Sequence, residues 1–168
     1  WINLNKPEGI SSSKCVVNLK KILNVKKIGH AGTLDPLASG VLPIAIGEAT
    51  KSIRFVSDEH KTYTFNICWG VKTSTDDKEG TIIRKTKRRP KEFTILKNIK
   101  KFIGEIDQRP PIYSAIKING KRAYTIARSG KTPELKKRKV TIFKFILKKI
   151  ISEDEAEFFV KCTKGTYI

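Results

Sequence analysis

The run Gly29-His30-Ala31-Gly32-Thr33-Leu34-Asp35-Pro36-Leu37-Ala38-Ser39-Gly40-Val41-Leu42-Pro43 holds the residues best suited to chemistry in this chain. Two glycines bracket a histidine, and an aspartate is set against a proline. Gly29 and Gly32 admit positive φ or a close backbone approach. Pro36 fixes its own φ and drives Asp35 into an extended conformation, out of any helix. Residues 41–46 read as a buried apolar strand, with Pro43 pointing to an edge or a bulge. A single carboxylate on a shaped loop, backed by a strand, is how a rigid scaffold presents a catalytic group. Asp-Pro is equally a common turn former, so the fragment alone leaves both readings open.

Metal chemistry finds little support. His30 has no second ligand at zinc spacing, because His60 and the cysteines are distant in sequence. Asp76 and Asp77 are adjacent but lack the further oxygen ligands of a calcium loop. Cys15, Cys68 and Cys162 are odd in number and far apart, which argues against a disulfide framework and fits a reducing cytoplasm.

Charge points outward. Lys plus Arg number 35 against 16 Asp plus Glu, a net +19 that calls for a polyanionic partner without saying which. A Lys- and Ile-rich composition also raises basicity for reasons unrelated to function. The 168 residues fit one domain with a real core. The 39% hydrophobic content is too low for a membrane protein, and no apolar run approaches a membrane span. Trp1-Ile2-Asn3-Leu4 lacks the pattern of a signal peptide.

The elements that must position Asp35 follow from periodicity. Residues 1–7 form a strand stopped by Pro7, Ser11 to Ser13 offer N-caps, and residues 14–23 form a helix with Val16, Leu19 and Leu23 on one face. Residues 49–56 suit a short helix. Tyr63, Phe65, Ile67 and Trp69 alternate with polar residues as a strand, where Tyr63 by itself reads as a core aromatic. Residues 71–80 read as a polar turn, 81–83 as a short strand, 85–91 as a basic loop, and 95–103 as a helix. Asn119-Gly120 is a strong turn signal, and residues 123–129 suit a short helix closed by Gly130. Residues 138–150 and 156–163 read as long antiparallel strands joined through Ser152-Glu153-Asp154-Glu155.

Residues 29–43, together with Gly47-Glu48-Ala49-Thr50-Lys51, closely resemble the catalytic motif of the RNA pseudouridine synthases, in particular the bacterial family that modifies the T-loop uridine of tRNA. Leu4-Asn5-Lys6-Pro7-Glu8-Gly9-Ile10-Ser11-Ser12 resembles that family's opening. Lys61-Thr62-Tyr63-Thr64-Phe65 resembles its second motif. Ser114-Ala115-Ile116-Lys117 through Gly120, Arg122 and Tyr124 resembles the start of its RNA-binding arm.

The resemblance implies an α+β fold, a mixed and largely antiparallel sheet flanked by helices. It implies isomerisation of a tRNA uridine, position 55 by family analogy, to pseudouridine, with the base flipped out of its stack and no cofactor or metal. Asp35 would be the nucleophile, on C1′ or on the uracil ring. His30 would contact RNA where the base leaves, Tyr63 would stack on the base, and Tyr167 would lie against it. Lys6 is expected to act structurally or electrostatically near the site. Lys117, Lys121, Arg122 and Arg128 would line a basic arm over about 111–139, with Lys164 a further backbone contact.

The expected partner is the tRNA T-stem-loop, with no membrane, and the complete protein is expected to be a cytoplasmic monomer. The run Lys164-Gly165-Thr166-Tyr167-Ile168 stops one residue short of the family's arginine partner to the aspartate. Residues 1–168 are therefore expected to be a catalytic domain incomplete at its C-terminus, without a C-terminal RNA-binding domain, leaving Phe158, Val160 and Ile168 as open apolar surface. A guide-dependent relative and a non-enzymatic basic RNA-binding protein are the alternatives, and the second leaves Asp35 unexplained.

Overall fold

Period-two alternation sets the first strand, β1 (Ile2–Lys6), with Ile2, Leu4 and Lys6 on one face. Helix α1 (Ser12–Ile22) follows, capped by the Ser11 side chain, which accepts a hydrogen bond from the Lys14 N–H at 3.2 Å. Strand β2 (Ile28–His30) and strand β3 (Gly40–Ile46) complete a three-stranded antiparallel sheet in the order β1-β3-β2. Cys15, Leu42 and Ile44 are buried between helix and sheet, with Ile2, Leu4, Val16, Leu19 and Ile46 packed round them. A 3₁₀ turn (Gly47–Ser52) and helix α2 (Ile53–Val56) follow. In this computed structural model the described residues are 1–56, 60–114 and 116–168, and they divide into two units, Trp1–Glu59 and His60–Ile168.

Pro43 occupies the middle strand, not the expected edge or bulge, and pairs with Asn3. The reason lies in where β2 stops. A strand residue sends its N–H and C=O toward the same neighbour. The Pro43 carbonyl accepts from the Ala31 N–H at 2.9 Å, one residue beyond β2. The missing N–H thus faces the end of β2, and the ladder to β1 loses nothing.

The second unit is built on β4 (Lys61–Cys68), whose Tyr63, Phe65 and Ile67 are half-buried while Thr62, Thr64 and Asn66 face solvent. Strands β5 (Val71–Thr73) and β6 (Ile82–Lys85) form a hairpin, so the expected polar turn begins with a strand. Helix α3 (Glu92–Ile99) starts before the expected residue 95 and passes into a 3₁₀ turn (Lys100–Phe102). Strand β7 (Gly104–Gln108) has only Ile106 as an apolar signal, and pairing with a later strand creates it.

Strands β8 (Lys117–Ile118) and β9 (Lys121–Arg122) flank Asn119 and Gly120, at φ of 48° and 81°. Positive φ at both positions is what a tight hairpin turn demands. Helix α4 (Ala123–Arg128) follows. Strands β10 (Arg138–Ser152) and β11 (Glu155–Cys162) then complete a four-stranded sheet in the order β4-β11-β10-β7. All strand pairings among the described residues are antiparallel.

Phe158 is the centre of the second unit's core. Its ring stacks on Phe65 at 5.8 Å and meets Trp69 edge-on at 6.3 Å and Phe145 at 5.7 Å. Ile95 and Ile99 of α3 close over this cluster. Burying one such ring contributes about 1.5–3 kcal/mol. Phe158 and Val160 are therefore buried, contrary to the expectation of open surface, while Ile168 remains exposed.

Candidate active site

The loop between β2 and β3 holds Asp35 exposed, at the first position of a turn in which the Ala38 N–H donates to the Asp35 carbonyl at 3.0 Å. Pro36 at the second position pre-sets the turn's φ. The peptides on either side of Asp35 are fixed from the N-terminal segment. Ser12 Oγ donates to the Leu34 carbonyl and accepts from the Leu34 N–H, each at 2.9 Å. The Gly9 N–H donates to the Pro36 carbonyl at 2.7 Å, from a backbone at φ 84° that glycine adopts without strain.

Lys6 reaches the same carbonyl. It is fully buried because it continues the inward face of Ile2 and Leu4. Its ammonium donates to the carbonyls of Pro7 at 2.8 Å, Ile10 at 2.7 Å and Pro36 at 3.4 Å. A buried cation persists only when such partners replace its water. The expected structural role of Lys6 thus has a concrete form: it ties the end of β1 to the Asp35 loop.

His30 ends β2, half-buried and opposite Ile44. Its Nδ1 bonds the Gly32 carbonyl. A carbonyl only accepts, so Nδ1 is the donor of this bond, and Nε2 is the ring nitrogen it leaves unused.

In the second unit, Tyr63 lies half-buried against the cluster of Ile142, Val160 and Cys162, and pairs with Val160. Tyr167 is clamped by Gln108. The Gln108 Nε2 donates to the Tyr167 carbonyl at 2.7 Å, and the Tyr167 N–H donates to Gln108 Oε1 at 2.9 Å. The Arg138 guanidinium lies 4.9 Å from the Tyr167 ring centre and donates to the Gly165 carbonyl at 2.6 Å. Tyr167 also borders an apolar groove of about 600 Å³ walled by Phe65, Phe145 and Phe158. Lys164, in the turn between these elements, is exposed.

Lys117, Lys121 and Arg122 are exposed together on the β8–β9 hairpin, where Lys117 pairs with Arg122. Arg128 stands apart at the end of α4, its guanidinium 5.8 Å from the Tyr124 ring. Ala115, within the motif leading to this hairpin, lies outside the described residues. In the basic run 85–91, Arg89 is engaged by Asp154 and by the Thr86 carbonyl.

The structure thus places Asp35 and His30 in the first unit, on the loop between β2 and β3 and at the end of β2, and joins Tyr167 with Gln108 and Arg138 within the second. Tyr63 and the basic arm also belong to the second unit. The sequence pattern offered Ser12 only as a helix cap, not as a partner of Leu34, and passed over Gln108. Ser12 had a signal, since it stands three, four and seven residues before Cys15, Val16 and Leu19, a polar residue on the apolar stripe of α1. Gln108 had none. Among the described residues no three His, Cys, Asp or Glu gather as a metal would need, and no helix is long and apolar enough to cross a membrane.

Comparison with known proteins places this geometry in context. The family model described as TruB family pseudouridylate synthase (N terminal domain) matches residues 20–168. A tRNA pseudouridine synthase B from Bradyrhizobium diazoefficiens is 49% identical over 168 residues, covering all of this chain and 49% of that protein. The protein of the same name from Ehrlichia chaffeensis is 51% identical, covering all of this chain and 57% of its own length. The chain therefore spans about half the length of these curated relatives. Among solved structures, a Cbf5-Nop10-Gar1 complex contains a chain that matches with a TM-score of 0.72 at 33% identity, over 99% of this chain and 40% of that one. An H/ACA RNP bound to a substrate RNA containing 2′-deoxyuridine matches with a TM-score of 0.69 at 28% identity, over 99% of this chain and 38% of that one.

Proposed function

Because this chain belongs to the TruB family of pseudouridylate synthases, we propose that it forms the catalytic part of an enzyme that isomerises a uridine in the T-loop of tRNA to pseudouridine. The observation that carries the reading is Asp35. It is an exposed carboxylate on a turn whose flanking peptides are held by Ser12, Gly9 and Lys6. Fixed geometry of this kind is what a reacting group needs.

The reaction breaks the C1′–N1 bond, turns the uracil, and joins C1′ to C5. The proton lost from C5 is balanced by one gained at N1, so the isomerisation is redox-neutral. Asp35 acts as the nucleophile that opens this sequence, on C1′ or on the ring. The base must leave its stack to be reached. The His30 Nε2, available to an RNA group because Nδ1 is engaged, faces the displaced strand. Tyr63 and Tyr167 offer aromatic surface to the extruded base, and Tyr167 is held for this by Gln108 and Arg138. Lys117, Lys121, Arg122, Arg128 and Lys164 grip phosphates, a sequence-independent role suited to a chain of net charge +19. The enzyme acts as a monomer in the cytoplasm.

A guide-dependent reading has one observation in its favour, the match to chains in Cbf5 and H/ACA complexes. Higher identity over the whole chain to proteins named tRNA pseudouridine synthase B ranks it second. The test is to treat unmodified tRNA with the full-length protein, without guide RNA, and to map pseudouridine by mass spectrometry. Pseudouridine in the T-loop supports the proposal, whereas unmodified tRNA that is converted only when guide RNA and partner proteins are added overturns it.

A further inference from the structure

We propose that Ser12 is a positioning residue for the Asp35 carboxylate, acting through the main chain of Leu34; this rests on the catalytic reading of Asp35 given above. Two adjacent serines divide the work at the start of α1. Ser11 caps the helix by accepting from Lys14. Ser12, 1% exposed, turns away from that task and meets Leu34, twenty-two residues later, with both functions of its hydroxyl.

The two bonds hold different peptides. The Leu34 N–H belongs to the peptide entering Leu34, and the Leu34 carbonyl belongs to the peptide that leads into Asp35. Fixing both at 2.9 Å leaves the Leu34 backbone no rotation about φ or ψ that does not break one of them. On the far side, Pro36 has its φ fixed by its ring and its carbonyl held by Gly9 at 2.7 Å. The main chain on both sides of Asp35 is thus held, and with it the direction from which the Asp35 side chain leaves the turn.

Packing alone does not account for a hydroxyl here. Ser12 lies on the same stripe of α1 as Cys15, Val16 and Leu19, where a methyl group would fill the space without needing partners. The hydroxyl is matched to the backbone of Leu34, and an apolar side chain leaves that peptide pair unbound in a buried place.

The experiment uses the full-length protein with tRNA, comparing the parent, Ser12→Ala and Ser12→Cys. Three quantities are measured: tRNA affinity, the single-turnover rate of pseudouridine formation, and hydrogen exchange at the Leu34 amide. The expected result for Ser12→Ala is affinity within about threefold of the parent and a rate reduced by about 10- to 100-fold, because misplacement without lost binding appears in the chemical step. The Leu34 amide should exchange about tenfold faster or more. The rate deficit should not vary with pH, since the serine hydroxyl does not titrate in the working range. Ser12→Cys keeps a weak donor and acceptor and should show smaller changes of the same kind; it carries the test by the same criteria if Ser12→Ala does not fold.

A parental rate in Ser12→Ala, or a reduced rate with unchanged Leu34 exchange, overturns the inference. A parent that leaves tRNA unmodified overturns the catalytic reading and this inference with it. An active parent beside an equally active Ser12→Ala overturns this inference alone.

Discussion

Gln108 holds Tyr167 as a neighbouring strand would, donating to its carbonyl at 2.7 Å and accepting from its N–H at 2.9 Å. One side chain at the end of β7 thereby substitutes for a strand partner along the segment that carries Tyr167. Arg138, at the start of β10, adds its guanidinium against the ring. Gln108→Ala removes both hydrogen bonds and is expected to lower stability by about 1–3 kcal/mol, the cost of leaving part-buried backbone groups unmatched. Denaturant unfolding measures it. An unchanged midpoint would show that water replaces the amide without loss.

Asp35→Asn in the full-length protein is expected to abolish turnover while tRNA affinity stays within about threefold, because the amide is nearly isosteric but cannot act as a nucleophile. A variant that makes pseudouridine at the parental rate would remove Asp35 from the chemistry. The contrast with Ser12→Ala is one of degree, since loss of the nucleophile stops the reaction and loss of positioning slows it.

Lys6→Ala is expected to cost about 2–5 kcal/mol of stability. It empties a buried site and takes the ammonium from the carbonyls of Pro7 and Ile10, while the Pro36 carbonyl keeps the Gly9 N–H. Lys6→Met fills the space without supplying the donor, so it should recover only part of the loss. Thermal or denaturant unfolding of both variants separates the packing contribution from the hydrogen bonds. Equal stability of Lys6→Met and the parent would mean that the ammonium contributes nothing net.

Lys117→Ala and Lys121→Ala should each lower the slope of log affinity for tRNA against log salt by roughly one unit, in proportion to one phosphate contact apiece. Affinity titrations over a range of salt provide the slopes. Two variants with the parental slope would take the β8–β9 hairpin out of the phosphate-binding surface.

Burial pushes the Cys162 thiol up from its ordinary pKa, against a smaller opposing pull from its contact with Thr166. The folded state therefore holds this proton more tightly than the unfolded chain. The resulting stability is whole below the unfolded thiol's pKa and is lost as pH rises through the folded value, so the loss falls on the alkaline side. Cys162→Ala should flatten the alkaline fall of the denaturation midpoint. An alkylating agent at neutral pH should modify exposed Cys68 well before buried Cys15 and Cys162. Equal labelling of all three in the folded protein would contradict the buried placement.

Much of this architecture was legible in the residues. Alternation over residues 63–69 and the long apolar strands on either side of Glu153-Asp154 define a sheet because side chains repeat at the strand period. Asn119-Gly120 defines a hairpin because few other pairs tolerate positive φ twice in succession. The run around Asp35 announced a loop and a carboxylate. Tertiary structure decided the rest. Strand β7 exists because β10 pairs with it, and Pro43 is tolerated at the centre of a sheet because β2 ends opposite it. Lys6, Ser12 and Gln108 each reach one partner far along the chain, 30, 22 and 59 residues away, and each such partner is main chain. A backbone carbonyl or N–H is the same at almost every residue, so no pattern of side chains marks which one a distant lysine, serine or glutamine will hold. Only the path of the folded chain brings them together.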